Sequence, residues 1–245
     1  MKGDEYIMEK KYIHYCWFGR NKKSKSVLKC IQSWKKYCPD YKIIEWNEDN
    51  FDVNCIPFVK EAYDAKKWAF VTDYARLKII YENGGIYLDT DVEIIKNIDD
   101  LLMLEAFAGF EGEKNIATGL GFGAIKGQKM IYELMQDYHE RHFSDENCKN
   151  LICPIINTEI FINHGLKQDG TKQVINGVTV FPKEYFNPKD NQTYELDITV
   201  NTYSIHHYDA SWKKGNAALK QRLFRFIAGV IGKERFIVLK RKLKK

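Results

Sequence analysis

An α/β fold built on a parallel, nucleotide-binding sheet is predicted by two features of the sequence. The chain opens as strand–helix–strand, and a long helical stripe later stops at Gly84-Gly85 and passes directly into an apolar strand. Tyr12-Ile13-His14-Tyr15-Cys16-Trp17-Phe18 is a β-branched and aromatic run ended by Gly19, and reads as a buried first strand. Over 24–37 the residues Val27, Leu28, Ile31 and Trp34 fall at helical spacing, with Ser24 or Ser26 as N-cap. Pro39-Asp40 breaks that helix, and the alternating segment 41–46 reads as a second strand. A helix over Trp68–Asn83 carries the stripe Phe70, Val71, Tyr74, Leu77, Ile80 and Tyr81, and ends at Gly84-Gly85 because glycine accepts the left-handed C′ conformation. Ile86-Tyr87-Leu88 starts a strand that runs into Asp89-Thr90-Asp91. Further strands are expected over 107–110, 120–125, 178–181 and 203–208, and helices over 129–142 and 158–164. No repeat or linker divides residues 1–212.

Composition narrows the classes. The 245 residues, 44% apolar and 29% charged, suffice for one well-cored domain. Aromatics at 14% exclude a disordered chain, and five prolines with sixteen glycines exclude collagen-like classes. No run approaches the roughly 18 apolar residues of a membrane span, and the N-terminal segment has no signal-like apolar stretch. A soluble, cytoplasmic chain is the expectation. Cys16, Cys30, Cys38, Cys55, Cys148 and Cys153 lie without a CxxC pair, so they are expected reduced and packed rather than holding zinc.

Charge is unevenly placed. Residues 213–245 hold twelve Lys or Arg against Glu234 alone, a net of +11, which leaves 26 basic and 32 acidic residues, −6, for the remainder. Interleaved with Leu219, Leu223, Phe224, Phe226, Ile227, Val230 and Ile231, this basic tail suits an anionic membrane surface. The other readings are a packed C-terminal helix with a solvated face, and nucleic acid. The last is disfavoured because no basic stripe with exposed aromatics occurs elsewhere.

The chemistry concentrates at Asp89-Thr90-Asp91. Two carboxylates so close at a strand's carboxyl end repel one another unless a cation joins them, and a hard divalent ion meets that need while also taking diphosphate oxygens. A solvated turn is the plain alternative, but turns seldom need an apolar strand leading into them. Asp73 and Arg76, three apart, share a face of the preceding helix. They suit sugar hydroxyls and phosphate, or simply pair with each other. Trp17 is either core or a base-stacking surface, and it lies at the strand end where such sheets place ligands. In Ile205-His206-His207-Tyr208, alternation sends the two histidines to opposite faces, so only one can meet a metal at Asp91. Thr118-Gly119-Leu120-Gly121-Phe122-Gly123 fits neither GxGxxG nor the P-loop, and His139 and His142 read as surface residues, with no HExxH present.

The run Phe70-Val71-Thr72-Asp73-Tyr74-Ala75-Arg76, with Tyr81-Glu82-Asn83-Gly84-Gly85-Ile86-Tyr87-Leu88-Asp89-Thr90-Asp91, closely resembles the DXD sugar-binding region of glycosyltransferase family 32. The same core pattern appears in the glucosylating domains of large clostridial toxins. With Ile13 to Gly19 at one end and Ile205 to Trp212 at the other, the resemblance spans about residues 11–212.

It implies a GT-A (Rossmann-like) single domain over 1–212 with a mixed central sheet, followed by the basic helical tail 213–245. It also implies a retaining transfer that depends on Mn(II) or Mg(II). Carried over residue by residue, Trp17 stacks on the base, Asp73 and Arg76 hold the donor sugar, and Tyr87 and Asp89 contact ribose and, through water, the metal. Asp91 ligates the metal, His206 is a further ligand with His207 as the fallback, and Ser211-Trp212 close over the diphosphate. Glycine-rich segments similar to 118–123 lie beside the sugar pocket in the family, and Pro154 to Glu159 resembles another family segment, with Cys153 where glycine is usual, a departure that weakens an acceptor role for Asn157 or Thr158. The expected activity is hexose transfer from a UDP-sugar to a glycan, a lipid-linked oligosaccharide of capsule or surface polysaccharide assembly, on the inner face of a bacterial membrane. A toxin-like transferase acting on protein, or an inactive membrane-binding protein, are the alternatives.

Overall fold

Tyr12–Cys16 forms β1, and its alternation is resolved into two buried faces. Ile13 and Tyr15 join the core under the first helix, while Cys16 faces the core of the later helices. The structure, a computed structural model, describes residues 8–190 and 195–208. The boundary at 212, Ser211, Trp212 and the tail 213–245 lie outside the described residues.

Helix α1 (Lys25–Tyr37) begins at the N-cap Ser24, whose hydroxyl accepts the Val27 amide at 3.3 Å. It buries Val27, Cys30, Ile31 and Trp34, and the Trp34 indole donates to the Val92 carbonyl at 2.8 Å. Strand β2 (Lys42–Trp46) follows, then α2 (Pro57–Asp64) and α3 (Trp68–Asn83). Gly84 ends α3 at φ +70°, its amide returning to Ile80. The chain continues through β3 (Gly85–Tyr87), β4 (Val92–Ile94), β5 (Ala106–Gly109), β6 (Phe122–Ala124), α4 (Lys129–Asp137), α5 (Cys153–Asn163), β7 (Gln173–Ile175), β8 (Val178–Phe181) and β9 (Ser204–His206).

Seven strands form one mixed sheet in the order β2-β1-β3-β6-β5-β8-β7. Strand β1 runs parallel to both β2 and β3, as the strand–helix–strand start predicts, while β6 is antiparallel to β3 and β5. One buried cluster lies under α1 on one face of the sheet, and a second lies under α2 to α5 on the other. The chain leaves β1 toward β2 on one side and reaches β3 on the other, so the carboxyl ends of β1 and β3 form a topological switch point.

Several elements depart from the sequence reading. Helix α5 starts at Cys153 rather than 158, because Pro154 fits the first helical turn, where its missing N–H costs nothing. Helix α2 was hidden by the same device at Pro57. The segment 129–142 is helical only to Asp137 before a 3-10 turn, and within 120–125 only Phe122–Ala124 pairs. Strands β4 and β7 are three residues each, too short to show a period. All six cysteines are free.

His14 locks β1 to both neighbours. The Trp46 indole N–H donates to its Nδ1 at 3.0 Å, so the proton sits on Nε2 and is donated to the Gly84 carbonyl at 3.1 Å. Burial pulls its pKa down to about 4, against a smaller upward pull from the Gly84 carbonyl. The folded state therefore stays neutral while the unfolded chain takes up a proton between about pH 6.5 and about 4, so stability falls as pH drops through that window. His14→Gln keeps a donor and an acceptor but does not titrate. Between pH 7 and pH 4, wild type should lose about 3 kcal/mol more than this variant in urea denaturation. Parallel losses would refute the assignment.

Candidate active site

The site sits at the switch point. The Leu88 amide bonds the His14 carbonyl at 3.0 Å, which carries the end of β3 alongside the end of β1 and leaves Asp89 and Asp91 at the crevice mouth. Beneath them, Arg76 of α3 is 4% exposed and bridges two carboxylates: Nη2 lies 2.9 Å from Asp73 Oδ1 and 3.3 Å from Asp89 Oδ1. Its Nε donates to the Thr72 carbonyl, and its guanidinium lies over the Tyr87 ring at 5.3 Å. Tyr87 is 1% exposed, and its hydroxyl donates to Asp89 at 3.0 Å. Here Tyr87 grips the carboxylate rather than offering an open face.

Asp91, just ahead of β4, and His206, the last residue of β9, come together at the end of a separate ladder. β4 and β9 pair antiparallel with Val92 opposite His206, and His206 Nε2 lies 3.2 Å from Asp91 Oδ1. His207 turns the other way, to Glu93 at 2.7 Å. The predicted alternation thus separates the pair, and His206 is the one at the carboxylates. Asp89, Asp91 and His206 can each present a ligand atom within 4.8 Å of the others.

The electrostatics are those of a cation site. Burial raises the Asp89 carboxyl above its usual value, and Asp91 adds to the rise while Arg76 opposes it. Burial lifts Asp73 to about 6, again opposed by Arg76. For His206, burial pulls downward, but Asp91, Asp89 and Glu111 outweigh it and the net shift is upward. Three carboxylates against one guanidinium and one imidazole leave net negative charge in a low-dielectric pocket. Two hard carboxylate oxygens with an imidazole suit a divalent ion such as Mn(II) or Mg(II).

Trp17 stands half-buried just past β1, its indole N–H donating to the Asn21 carbonyl at 2.6 Å and Lys23 over its ring. The residues around Arg76 come from the segments 118–123 and 153–158, a contact that sequence reasoning did not assign. Gly119 is placed so that a Cβ there would lie 2.6 Å from Asp89 Oδ2 and 2.9 Å from Arg76 Nη1, so only glycine leaves room for the bridge. The Cys153 sulfur lies 4.0 Å from Arg76 Nη1 and 3.1 Å from the Thr118 hydroxyl. Asn157 is fully buried and donates to Thr118 and Cys153. Thr158 accepts the Ile116 amide and donates to the Pro154 carbonyl, so its hydroxyl is engaged within the fold. The rejected fingerprint 118–123 was the signal available, since its glycines serve a side-chain bridge instead of a phosphate. His139 contacts the Tyr74 hydroxyl and His142 pairs with Glu61, away from the cluster.

Comparison with known proteins agrees with this geometry. Residues 24–108 match the family model for the glycosyltransferase sugar-binding region containing DXD motif. That stretch, about a third of the chain, is what is similar to the family. The matched stretch contains Asp73, Arg76, Tyr87, Asp89 and Asp91. Over 211 residues the chain is 28% identical to an uncharacterized glycosyltransferase, L373, of Acanthamoeba polyphaga mimivirus, covering 82% of each protein. It is 26% identical over 135 residues to inositol phosphoceramide mannosyltransferase 3 of Schizosaccharomyces pombe, covering 52% of this chain and 36% of that protein. Among solved structures, the PaToxG glycosyltransferase superposes with a TM-score of 0.52 at 18% identity, over 64% of this chain and 69% of that one. The fold is the GT-A type.

Removing Arg76 leaves Asp73 and Asp89 facing each other without their cation. Arg76→Met should therefore cost about 3–5 kcal/mol in urea denaturation at pH 7.5. A loss under about 1 kcal/mol would show that the carboxylates do not depend on it.

Proposed function

We propose that the chain transfers a hexose from a nucleotide sugar, with a UDP-sugar as donor, to a glycan acceptor, with retention at the anomeric carbon. The Asp89–Asp91–His206 cluster beside the Arg76 bridge carries this reading. Asp89, Asp91 and His206 would hold Mn(II) or Mg(II), which when bound neutralises charge on the departing diphosphate. Asp73 and Arg76, locked together at 2.9 Å, orient the sugar ring, so that much of the rate comes from positioning. Trp17 offers its indole to the base, and Tyr87 fixes Asp89 through its hydroxyl. Ser211 and Trp212 are assigned to the diphosphate. The acceptor hydroxyl attacks from the leaving-group face, and no side chain of the protein is assigned as nucleophile.

A lipid-linked acceptor is supported by two observations of different kinds. One relative is named for mannose transfer to inositol phosphoceramide, a lipid. The tail 213–245 carries +11 of charge among apolar residues, which suits an anionic bilayer surface at the inner face of the membrane, as in capsular polysaccharide synthesis. No helix among the described residues is long and apolar enough to cross a membrane.

Thermal unfolding with Mn(II) and UDP, GDP, CDP or ADP tests the donor. At a hundred times its dissociation constant, UDP should stabilise by about 2.7 kcal/mol, roughly 5–10 °C for a chain of this size, and Asp91→Asn should abolish the shift. A GDP-selective shift would replace the UDP reading with a mannose or fucose donor, and an undiminished response in Asp91→Asn would remove the metal assignment. The full chain should also sediment with vesicles containing phosphatidylserine in low salt and release above about 0.5 M salt, where surface charges are screened. Equal recovery with neutral vesicles would refute the charge-based contact.

A further inference from the structure

We propose that Glu111 is a positioning residue for the metal site: its carboxylate takes the Nδ1–H of His206, directly or through one bridging water, and so presents the Nε2 lone pair to the cation. This rests on the metal reading above. An imidazole can ligate through Nε2 only when that nitrogen carries no proton, so the neutral ring must carry its proton on Nδ1. Nε2 is the nitrogen that faces Asp91, at 3.2 Å. Nδ1, on the other edge of the ring, is buried and has no hydrogen-bond partner among the described residues. A buried N–H without an acceptor is a position that folded proteins avoid, so ligation by His206 demands one.

Few groups can supply it. Asp89 and Asp91 belong to the ligand cluster itself. Tyr208 packs edge-on to the His206 ring at 4.2 Å, but its hydroxyl is engaged by the Asn187 side-chain amide at 2.6 Å. Glu111, in the loop after β5, interacts electrostatically with both His206 and Tyr208. Its carboxylate makes no hydrogen bond or ion pair among the described residues. Asn187 fixes the approach: its Nδ2 donates both to the Glu111 carbonyl at 2.5 Å and to Tyr208, pinning the loop after β5 to the end of β9. The Glu111 carboxylate and the unpartnered Nδ1 thus belong to the same end of the site, beyond hydrogen-bond distance of each other, so that one water or a turn of the Glu111 side chain would join them. A carboxylate behind a metal-binding histidine sets the tautomer and ring orientation, and its loss weakens metal binding.

Titration of the full-length protein with Mn(II) alone, followed by the electron paramagnetic resonance signal of free Mn(II), tests this without requiring catalysis. Glu111→Ala should raise the Mn(II) dissociation constant about 10–100-fold. Glu111→Gln should restore most of the affinity, because its amide oxygen still accepts from Nδ1–H. In a His206→Ala background, Glu111→Ala should add less than about twofold, since Glu111 acts through that ring. Should Glu111→Ala fail to fold, Glu111→Asp withdraws the carboxylate by one methylene and should weaken binding as well. Wild-type affinity in Glu111→Ala, equal weakening in Ala and Gln, or full weakening without His206 would each overturn the proposal. Absence of Mn(II) binding by wild type would instead remove the metal reading on which it stands.

Discussion

The Arg76 guanidinium, withdrawn from water beneath the crevice, holds Asp73 on its own helix and Asp89 on the strand that follows. Burying three charges is costly, and only their close mutual contact offsets it. Much of the local structure answers that constraint. Gly119 keeps a side chain out of the bridge, Tyr87 adds a donor to Asp89, and Cys153, Thr118 and Asn157 line the far side with polar atoms too short to disturb it. A carboxylate so restrained presents its oxygens in one direction, which is what recognition of a fixed ligand geometry requires.

The parts of this arrangement visible in the sequence are those coded locally. The α3 stripe, its glycine stop and the apolar lead into Asp89 lie within a short stretch of chain, and each follows from periodicity or backbone freedom. The opposite facing of His206 and His207 follows from strand alternation alone. Asp73 and Arg76 were readable as a pair, but that Arg76 also reaches Asp89 depends on how α3 packs on the sheet.

What was illegible is non-local or masked by proline. Glu111 stands in a charged loop with Glu113 and Lys114, and nothing in that run distinguishes it. Only the placement of β5 and the Asn187 tether bring it to His206. Helices α2 and α5 each open on a proline, which reads as a breaker until its place in the first turn is known. Strands β4 and β7 owe their existence to partners far along the chain rather than to their own few residues.

The β4–β9 ladder has a kinetic implication. His207 and Glu93, which flank the meeting of His206 with Asp91, are 114 positions apart, and the ladder that unites them stands outside the main sheet. Closure of so long a loop is entropically slow, and its reward arrives only with the short strand β9. The large sheet can therefore assemble during synthesis while His206 has yet to reach Asp89 and Asp91. Because a slip of one residue would turn His206 away and bring His207 inward, the meeting of His206 with Asp91 becomes a report on the register of the β4–β9 pairing.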